Sequence, residues 1–445
     1  MDEKTHLVDI IEDIAEESAR WSKRCIYRIP PCVADLKETV YVPQMVSLGP
    51  YHHGTPSLSA MEEHKRRALR HFLNRSDKTF CSFVRALTPV VQDLRDAYDN
   101  LDSKWQDDEK FLTVMIIDGC FVLELLRTTR DRATATTTTT GAAAAATTQT
   151  DHKPQDYAWN DPIFSNHGRI YMVPYLKRDM LMLENQLPMR VLEQLVSIQN
   201  EDSFKEGKLT NRILEFFDQR ESYREQFDKC LHMLDVYRRS LLGKEPQPEY
   251  YASTPFHGGG DEIIRSATEL TEAGIRFEKS KTRSLRDISF RGGVLKLPLI
   301  IVDDLLESLY LNLIAFERFH VGAGNDITSY VFFMDNIIDS ARDVSLLHSC
   351  RIIQNALGSD KMVANLFNSL SRDIILDRDS RLNQVHQLVS DYCQKPWHQW
   401  RANLKHNYFT NPWASLSVIA AVFLFALTII QTVYSVLSYD PPASK

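Results

Sequence analysis

The C-terminal part of the chain contains a long run without charge. From Asn407 to Tyr439 no side chain is charged, and most of the residues are apolar. About 24 residues of α-helix, rising ~1.5 Å per residue, cover roughly 36 Å, which is enough to cross a ~30 Å hydrocarbon layer at a tilt. We predict a transmembrane helix over residues 413–437, followed by a short tail over 438–445.

Four residues of this run are the predicted anchor positions. Trp413 lies near one end and Tyr434 near the other, and tryptophan and tyrosine are enriched at membrane–water interfaces. Leu424 and Phe425 lie near the middle, at the depth where a charged side chain is least tolerated. A lipid bilayer is therefore a predicted partner of the chain.

The charges that flank the predicted span indicate its orientation. Lys395, Arg401 and Lys405 precede the span, whereas Lys445 follows it beside Asp440. The positive-inside rule therefore predicts a cytosolic body, anchored in the plasma membrane or an endomembrane, with the reverse orientation as the alternative. The acidic N-terminus lacks a basic segment followed by an apolar one, so it does not resemble a secretory signal.

Charge and cysteine content exclude two classes of protein. The formal net charge of −7 argues against a nucleic-acid-binding protein, because phosphate binding needs a basic surface. The seven cysteines are scattered and include no CxxC pair, so they suggest neither a zinc site nor a disulfide framework. A reducing compartment fits this pattern best.

The rest of the chain predicts a mainly α fold, a large helical body with minor β-structure, because apolar residues recur at helical spacing. The acidic segment 1–25 predicts an amphipathic helix, and 26–405 predicts a single helical domain. Ser59 and Glu62, three residues apart before an apolar stripe, predict a capping box at the start of a helix.

Two segments of low helical character interrupt the body. Residues 133–150 are almost entirely threonine and alanine, without charge or bulky apolar side chains. Such a segment cannot bury enough apolar surface to offset the entropy of ordering, so a disordered insert is predicted. Residues 241–260, with several prolines and glycines, predict an exposed connector.

The sequence VSLGPYHHG, from Val46 to Gly54, is the first candidate site. The groups that could act there as ligands or acid–base catalysts are His52, His53 and His64, with Glu62 and Glu63. Adjacent histidines in a loop are a much weaker signal than HExxH on a helix, where both rings share one face. We interpret the segment as a structural turn in which Gly49 adopts positive φ, with a metal or catalytic site as the alternative.

Carboxylates inside apolar helices form the second candidate. They are Asp118, Glu124, Glu184 with its neighbour Asn185, and Asp335. Buried carboxylates need partners, and a pair of them can carry out acid–base catalysis. Pairing with arginine or capping of a helix is the more common role, and it is the one that we predict.

The sequence FRGGVLKLP, at residues 290–298, is the third candidate. It predicts a short hairpin or edge strand, because Pro298 limits pairing, leading into a helix capped by Asp303 or Asp304. The lysine and hydroxyl residue of a phosphate-binding loop are missing in the required order. No catalytic motif is found, and no catalytic residue, metal or cofactor is predicted.

Several motifs resemble one family of land-plant proteins in identity and order. They include VSLGPYHHG, MIIDGCFVLELLR, RDMLMLENQLPMRVLEQL, FRGGVLKLP and LYLNLIAFERFH. The family is catalogued as domain of unknown function 247, the UPF-type plant proteins, and the resemblance runs from about Ile26 to the predicted span. It departs at the threonine–alanine insert and at Lys296, where an acidic residue is more usual.

The resemblance implies a single C-terminal membrane helix and no established enzymatic activity. The resemblance also implies a role in recognition. In grasses, members of the family encoded at the self-incompatibility loci look like the determinants that act on the pollen side. Our first hypothesis is therefore a membrane-anchored recognition or scaffold protein that binds an unknown protein partner. The second is an enzyme or metal-binding protein that uses His52, His53 and His64 with nearby carboxylates.

Overall fold

The structure is a computed structural model of the 445-residue chain. It describes residues 18, 20–34, 37–137, 157–199, 208–219, 229–243, 265–372, 374, 381–394 and 412–437.

The described part of the chain is mainly helical with few strands, which confirms the predicted fold class. The α-helices are α1 Pro31–Ala34, α2 Ser59–Ser76, α3 Phe80–Leu87, α4 Val91–Asp96, α5 Asp108–Thr137, α6 Asn166–Tyr171, α7 Val173–Asp179, α8 Met189–Gln199, α9 Lys208–Phe216, α10 Met233–Leu242, α11 Ala267–Glu272, α12 Leu306–Phe319, α13 Asp326–Ile337, α14 Ala341–Ser349, α15 Asp360–Leu370, α16 Arg381–Gln394 and α17 Pro412–Leu437. Short 3₁₀ turns lie at Glu38–Val40, Pro56–Leu58, Thr88–Val90, Ser103–Trp105 and Leu183–Asn185.

The strands form two small sheets. They are β1 Arg276–Lys279, β2 Ser289–Arg291, β3 Val294–Leu297, β4 Ile300–Val302 and β5 Ile353–Asn355. β3 pairs antiparallel with β2 and parallel with β1, while β4 pairs parallel with β5. The predicted hairpin at 290–298 is confirmed. The predicted cap at Asp303 or Asp304 is wrong, because Leu305 takes the N-cap position of α12. The Asp303 carboxylate instead accepts the N–H groups of Leu305 and Leu306, both at 3.1 Å, in the turn that leads into the helix.

Helix α5 lies at the centre of the first half of the fold. It packs against α2, α3, α8 and α9, so nearly every side chain between Phe111 and Leu126 is buried. Contacts on several sides explain why this stretch is apolar all round rather than on one stripe. In the second half, α12–α15 pack on one another, and a single hydrophobic core runs through both halves.

The N-terminal part of the body is held by residues that lie far along the chain. The carbonyl oxygen of Val40 accepts hydrogen bonds from Ser308 Oγ at 2.8 Å and Asn312 Nδ2 at 2.9 Å. The Lys37 ammonium pairs with the Glu307 carboxylate on the same helix, α12. These bonds join the first residues of the body to its second half.

The predicted capping box at Ser59 and Glu62 is wrong. The 3₁₀ turn Pro56–Leu58 continues directly into α2, so Leu58 takes the N-cap position and Ser59 already lies inside the helix. The Ser59 hydroxyl donates back to the Pro56 carbonyl oxygen at 2.7 Å. Glu62 is consequently available for a buried lysine, described below.

Several predicted boundaries fall wholly or partly outside the described residues. Of the predicted helix over 1–25, residues 18, 20 and 21 are helical, and the chain then turns before Ile26 bridges to Tyr98. The backbone of α5 continues to Thr137, past the predicted start of the insert, and residues 138–156 lie outside the described part. The predicted connector over 241–260 begins too early, because residues 241 and 242 belong to α10 and Leu242 is buried. Its residues 244–260, together with residues 261–264 and 395–411 and the tail over 438–445, lie outside the described part.

Candidate functional site

The three predicted histidines contact different neighbours. His52 Nε2 lies 3.0 Å from Glu184 Oε2, and the His53 ring meets the Trp105 indole edge-on at 5.6 Å between centroids. His64 is half-buried on α2, and burial, with a smaller contribution from Arg67, lowers its pKa. Across the described residues, no group of three or more histidine, cysteine, aspartate or glutamate side chains is arranged to hold a metal ion.

The backbone that carries these histidines is bound by side chains from elsewhere in the fold. Asp179 Oδ2 accepts the N–H groups of Gln44, Met45 and Val46 at 3.1, 2.6 and 3.0 Å. Asn185 accepts the Leu48 N–H at 2.6 Å and donates to the Val46 carbonyl oxygen at 3.0 Å. Buried backbone groups must be paired, and here side chains supply the partners that a neighbouring strand would supply in a sheet.

Gly49 completes this turn. Its φ is +72°, as expected for a glycine in a left-handed conformation, and its N–H donates to Asp118 Oδ2 at 2.9 Å. The Tyr51 hydroxyl extends the same network, because it donates to the carbonyl oxygen of Asp99. The segment therefore has the contacts of a structural turn.

Asp118 also binds a buried lysine that the sequence analysis missed. The Lys65 side chain is 0% exposed, and its Nζ lies 2.8 Å from Asp118 Oδ1 and 2.7 Å from Glu62 Oε1. Burial alone would lower the pKa of Lys65, but the two carboxylates outweigh burial and raise it. A signal was present in the sequence: Lys65 lies on the same helical stripe as the buried Met61 and Ala68.

Removing the Lys65 charge should destabilise the protein. We expect Lys65→Met to lower the free energy of unfolding by about 3 kcal/mol, because it leaves the Asp118 carboxylate buried without its cation. Adding Asp118→Asn should recover part of this loss, since the amide oxygen can still accept from the Gly49 N–H. The measurement is urea unfolding of the full chain in detergent, with the exposed neighbour substitution Arg66→Met as the control.

The pH dependence of Lys65→Met gives an independent check. Burial raises the pKa of Asp118, so the folded variant binds a proton more readily than the unfolded chain does. The variant should therefore lose stability as pH rises above the ordinary aspartate range and regain it as pH falls. If the loss of stability in Lys65→Met does not change with pH, then Asp118 is not a buried, unpaired carboxylate in that variant.

The other predicted carboxylates also have structural partners. Glu124 pairs with Arg75 and Arg127 and accepts the Tyr157 hydroxyl at 2.7 Å. Glu184 Oε1 accepts the Ile29 N–H at 2.6 Å. Burial raises the pKa of Asp335, which a hydrogen bond from the Ser371 side chain opposes. The predicted pairing with arginine is confirmed for Glu124, whereas Glu184 and Asp335 contact other groups.

Gly293, the second glycine of the hairpin, packs against helix α16, whereas a Cβ added at Gly292 would meet no atom within 4 Å. A Cβ added at Gly293 would lie 2.5 Å from the Tyr392 hydroxyl, so only glycine allows this close approach. Lys296, the departure from the family pattern, lies opposite Glu278 on the neighbouring strand, with Nζ 3.7 Å from Oε2. The hairpin therefore has a packing role.

Helices α6 and α7 expose an aromatic surface that the sequence analysis did not find. We call it the aromatic face; its members are His167, Ile170, Tyr171, Pro174 and Tyr175. Ile170, Tyr171 and Tyr175 are 61, 59 and 58% exposed, and the His167 ring lies 4.6 Å from that of Tyr171. The spacing of three and four residues places them on one side of the two helices.

The loop that precedes the aromatic face adds a further exposed ring. Trp159 is 79% exposed. The loop is held against α6 at Gly168, where an added Cβ would lie 2.4 Å from the carbonyl oxygens of Pro162 and Ile163. The sole carboxylate between residues 158 and 178 is Asp161, which is buried and pairs with Arg67 at 2.9 Å. A cluster of exposed apolar and aromatic side chains is typical of a binding site.

Helix α17 is apolar, and every one of its side chains whose burial the structure describes is exposed. Ile419–Leu437 is long and apolar enough to cross a membrane, and none of this stretch is buried within the protein. The predicted anchor positions Leu424, Phe425 and Tyr434 are 62, 70 and 71% exposed, and the backbone of Trp413 belongs to the same helix. Length and composition are those of a membrane span.

Comparison with known proteins gives consistent matches over nearly the whole chain. The model of a family described as "Plant protein of unknown function", DUF247, matches residues 26–427. The chain is 30% identical to UPF0481 protein At3g47200 of Arabidopsis thaliana, over 95% of this chain and 88% of that protein. It is 22% identical to Putative UPF0481 protein At3g02645 of the same plant, over 91% of this chain and 89% of that one. No solved structure matches the chain.

Proposed function

Since the chain belongs to the DUF247 family of plant proteins of unknown function, we propose that it is a membrane-tethered recognition protein. In this role α17 anchors the protein in a lipid bilayer, and the helical body binds a protein partner. The aromatic face is the observation that carries the recognition role. One process in which the protein would have this role is self-incompatibility, which the family resemblance implies for grasses.

The tether is supported by the composition and exposure of α17. No contact within the described body removes the apolar side chains of Ile419–Leu437 from water. Burial in the hydrocarbon of a bilayer would do so, and the transfer is favourable. The cations before the helix favour a cytosolic body, in the plasma membrane or an endomembrane.

The recognition role is supported by the chemistry of the aromatic face. Tyrosine and tryptophan contribute large contact areas with little loss of side-chain entropy, and they are enriched among residues that dominate binding energy. Tyr171, Tyr175 and Trp159 are each more than half exposed. Asp161, the sole carboxylate between residues 158 and 178, is buried, and the exposed Asp218 is paired with Lys177 of α7 at 2.6 Å. A partner that covers this surface therefore meets no unpaired carboxylate from these elements.

Substitution of the aromatic face should remove partner binding without unfolding the body. We expect Ile170→Glu with Tyr175→Glu to reduce proximity labelling of the partner by the full chain in plant cells about tenfold or more. A loss of this size needs roughly 1.4 kcal/mol of binding free energy, well within the contribution of two large interface side chains. Both positions are exposed, so the free energy of unfolding should change by less than about 0.5 kcal/mol per substitution.

Val321→Glu is the matched control, since Val321 is 96% exposed and lies outside the aromatic face. It should keep the labelling pattern of the wild type. If the double variant labels the same proteins as the control and wild type do, the aromatic face is not the recognition surface.

A further inference from the structure

One polar side chain in α17 has no partner in the described structure. Gln431 carries the helix's sole side-chain amide, which makes no hydrogen bond to any residue that the structure describes. The nearby threonines differ, because Thr428 donates to the Leu424 carbonyl oxygen and Thr432 to that of Thr428, both at 2.8 Å. Gln431 alone among these three presents unsatisfied donors and acceptors.

The depth of Gln431 makes this unpaired amide significant. It lies six residues before Leu437, where the candidate span ends, which is ~9 Å along the helix axis. The Cα–Cβ bond of a helical residue tilts toward the helix N-terminus, which for Gln431 is toward the bilayer centre. The first bond of the side chain therefore leads away from the nearer interface. In hydrocarbon, an amide without a hydrogen-bonding partner is strongly unfavourable.

Gln431 lies on a regular seam of the helix. Successive steps of four, three, four, three and four residues connect the members of the seam, which are Ser417, Ala421, Leu424, Thr428, Gln431 and Ser435. This is the heptad spacing by which two helices contact each other along their length. All members except Leu424 and Gln431 are small or carry a short hydroxyl side chain, which lets two helix backbones approach closely.

We propose that α17 pairs with α17 of a second copy of this chain, with Gln431 of each copy hydrogen-bonded to Gln431 of the other. This inference rests on the proposed membrane tether. An amide has both a donor and an acceptor, so it is complementary to itself across a twofold axis.

The depth of Gln431 and the position of the seam favour a second copy of this chain as the partner of α17. Two copies inserted with the same topology carry Gln431 at the same depth, and they carry identical seams at the same height. A parallel pair therefore aligns the two amides and the small residues without any shift of one helix along the other.

Energy transfer between labelled copies tests the proposal. Full-length chains labelled with donor or acceptor are reconstituted into vesicles of zwitterionic phospholipid, and transfer is measured against protein-to-lipid ratio. We expect Gln431→Leu to weaken self-association about 3- to 30-fold, the range given by interhelical hydrogen bonds in membranes. Gln431→Asn, which keeps an amide, should retain most of the association.

A matched control moves the amide without changing composition. The exchange Ile430→Gln with Gln431→Ile shifts the amide by ~100° around the helix and off the seam. It should weaken association as much as Gln431→Leu does. Self-association that is equal in the wild type, Gln431→Leu and the exchange variant would overturn the proposal.

Alkaline carbonate extraction separates failure of the dimer from failure of the tether. All variants should remain in the membrane pellet. A wild type that is recovered in the membrane but is monomeric would overturn the pairing alone. A wild type that is extracted into the supernatant would overturn both the tether and the pairing.

Discussion

Replacing Leu424 and Phe425 together with arginine is expected to move the protein from the membrane pellet into the soluble fraction. Both residues lie near the middle of α17 and are mostly exposed. Each arginine costs at least about 2.5–3.5 kcal/mol at the centre of a bilayer, so two cost roughly 5–7 kcal/mol, a shift of about 10⁴-fold or more. The body should stay folded, because none of Ile419–Leu437 is buried within it.

Leu424→Ile with Phe425→Leu, which keeps the apolar character, should remain in the pellet. Orientation can be read from the wild type with a glycosylation acceptor placed after Lys445. A tail that is glycosylated on passage through the endoplasmic reticulum, with a body accessible to protease in intact vesicles, is the expected result. A protected body with an unmodified tail would reverse the orientation, and a double-arginine variant that stays in the pellet would contradict the anchor.

Gly49→Val should unfold the body or leave it barely stable. Gly49 has a φ of +72°, and an added Cβ would lie 2.9 Å from both the Gln186 carbonyl oxygen and the Tyr98 hydroxyl. The left-handed conformation costs a residue with a side chain roughly 1–2 kcal/mol, and overpacking of a buried site adds about 1–3 kcal/mol. The total of up to about 5 kcal/mol is a large part of the stability of a typical domain.

Gly54→Val is the matched control for this prediction, because it places the same side chain at a second glycine. Gly54 also has positive φ, +85°, but a Cβ at this position would meet no atom within 4 Å. The control should therefore show the conformational cost alone, about 1–2 kcal/mol. Thermal unfolding of the two full-length variants in detergent checks both values. If they unfold at the same temperature, close packing at Gly49 does not contribute.

Local patterns in the sequence were sufficient to predict the helical class, the hairpin and the apolar helix. Each depends on spacing within a few turns of the chain, as with the glycines between β2 and β3. The capping box failed because the turn Pro56–Leu58 shifts the start of α2 by one position. A competing local structure of this kind is invisible to a four-residue pattern.

The polar network around Gly49 could be predicted only in part. The need of Asp118 and Glu124 for partners followed from burial, but the choice of Lys65 and Arg75 depends on how helices pack. Asp179 gave no signal in the sequence, because the N–H groups that it binds lie more than 130 residues before it. The aromatic face was also missed, since exposure is a property of the assembled fold.

The bonds from Val40 to α12 set an order of events during synthesis. Asn312 follows Val40 by 272 residues, so at ~5–20 residues per second the Val40 carbonyl waits roughly 14–54 s for its native partner. Helix α17 begins 100 residues after Asn312, since 412 − 312 = 100, which is a further ~5–20 s. During the first interval the N-terminal segments lack this partner, and incompletely packed segments of this kind are prone to aggregation. Helices α13–α16 are made during the second interval, and α16 ends at Gln394, 18 residues before α17 begins. The last described helix of the body is therefore completed only ~1–4 s before the apolar helix begins.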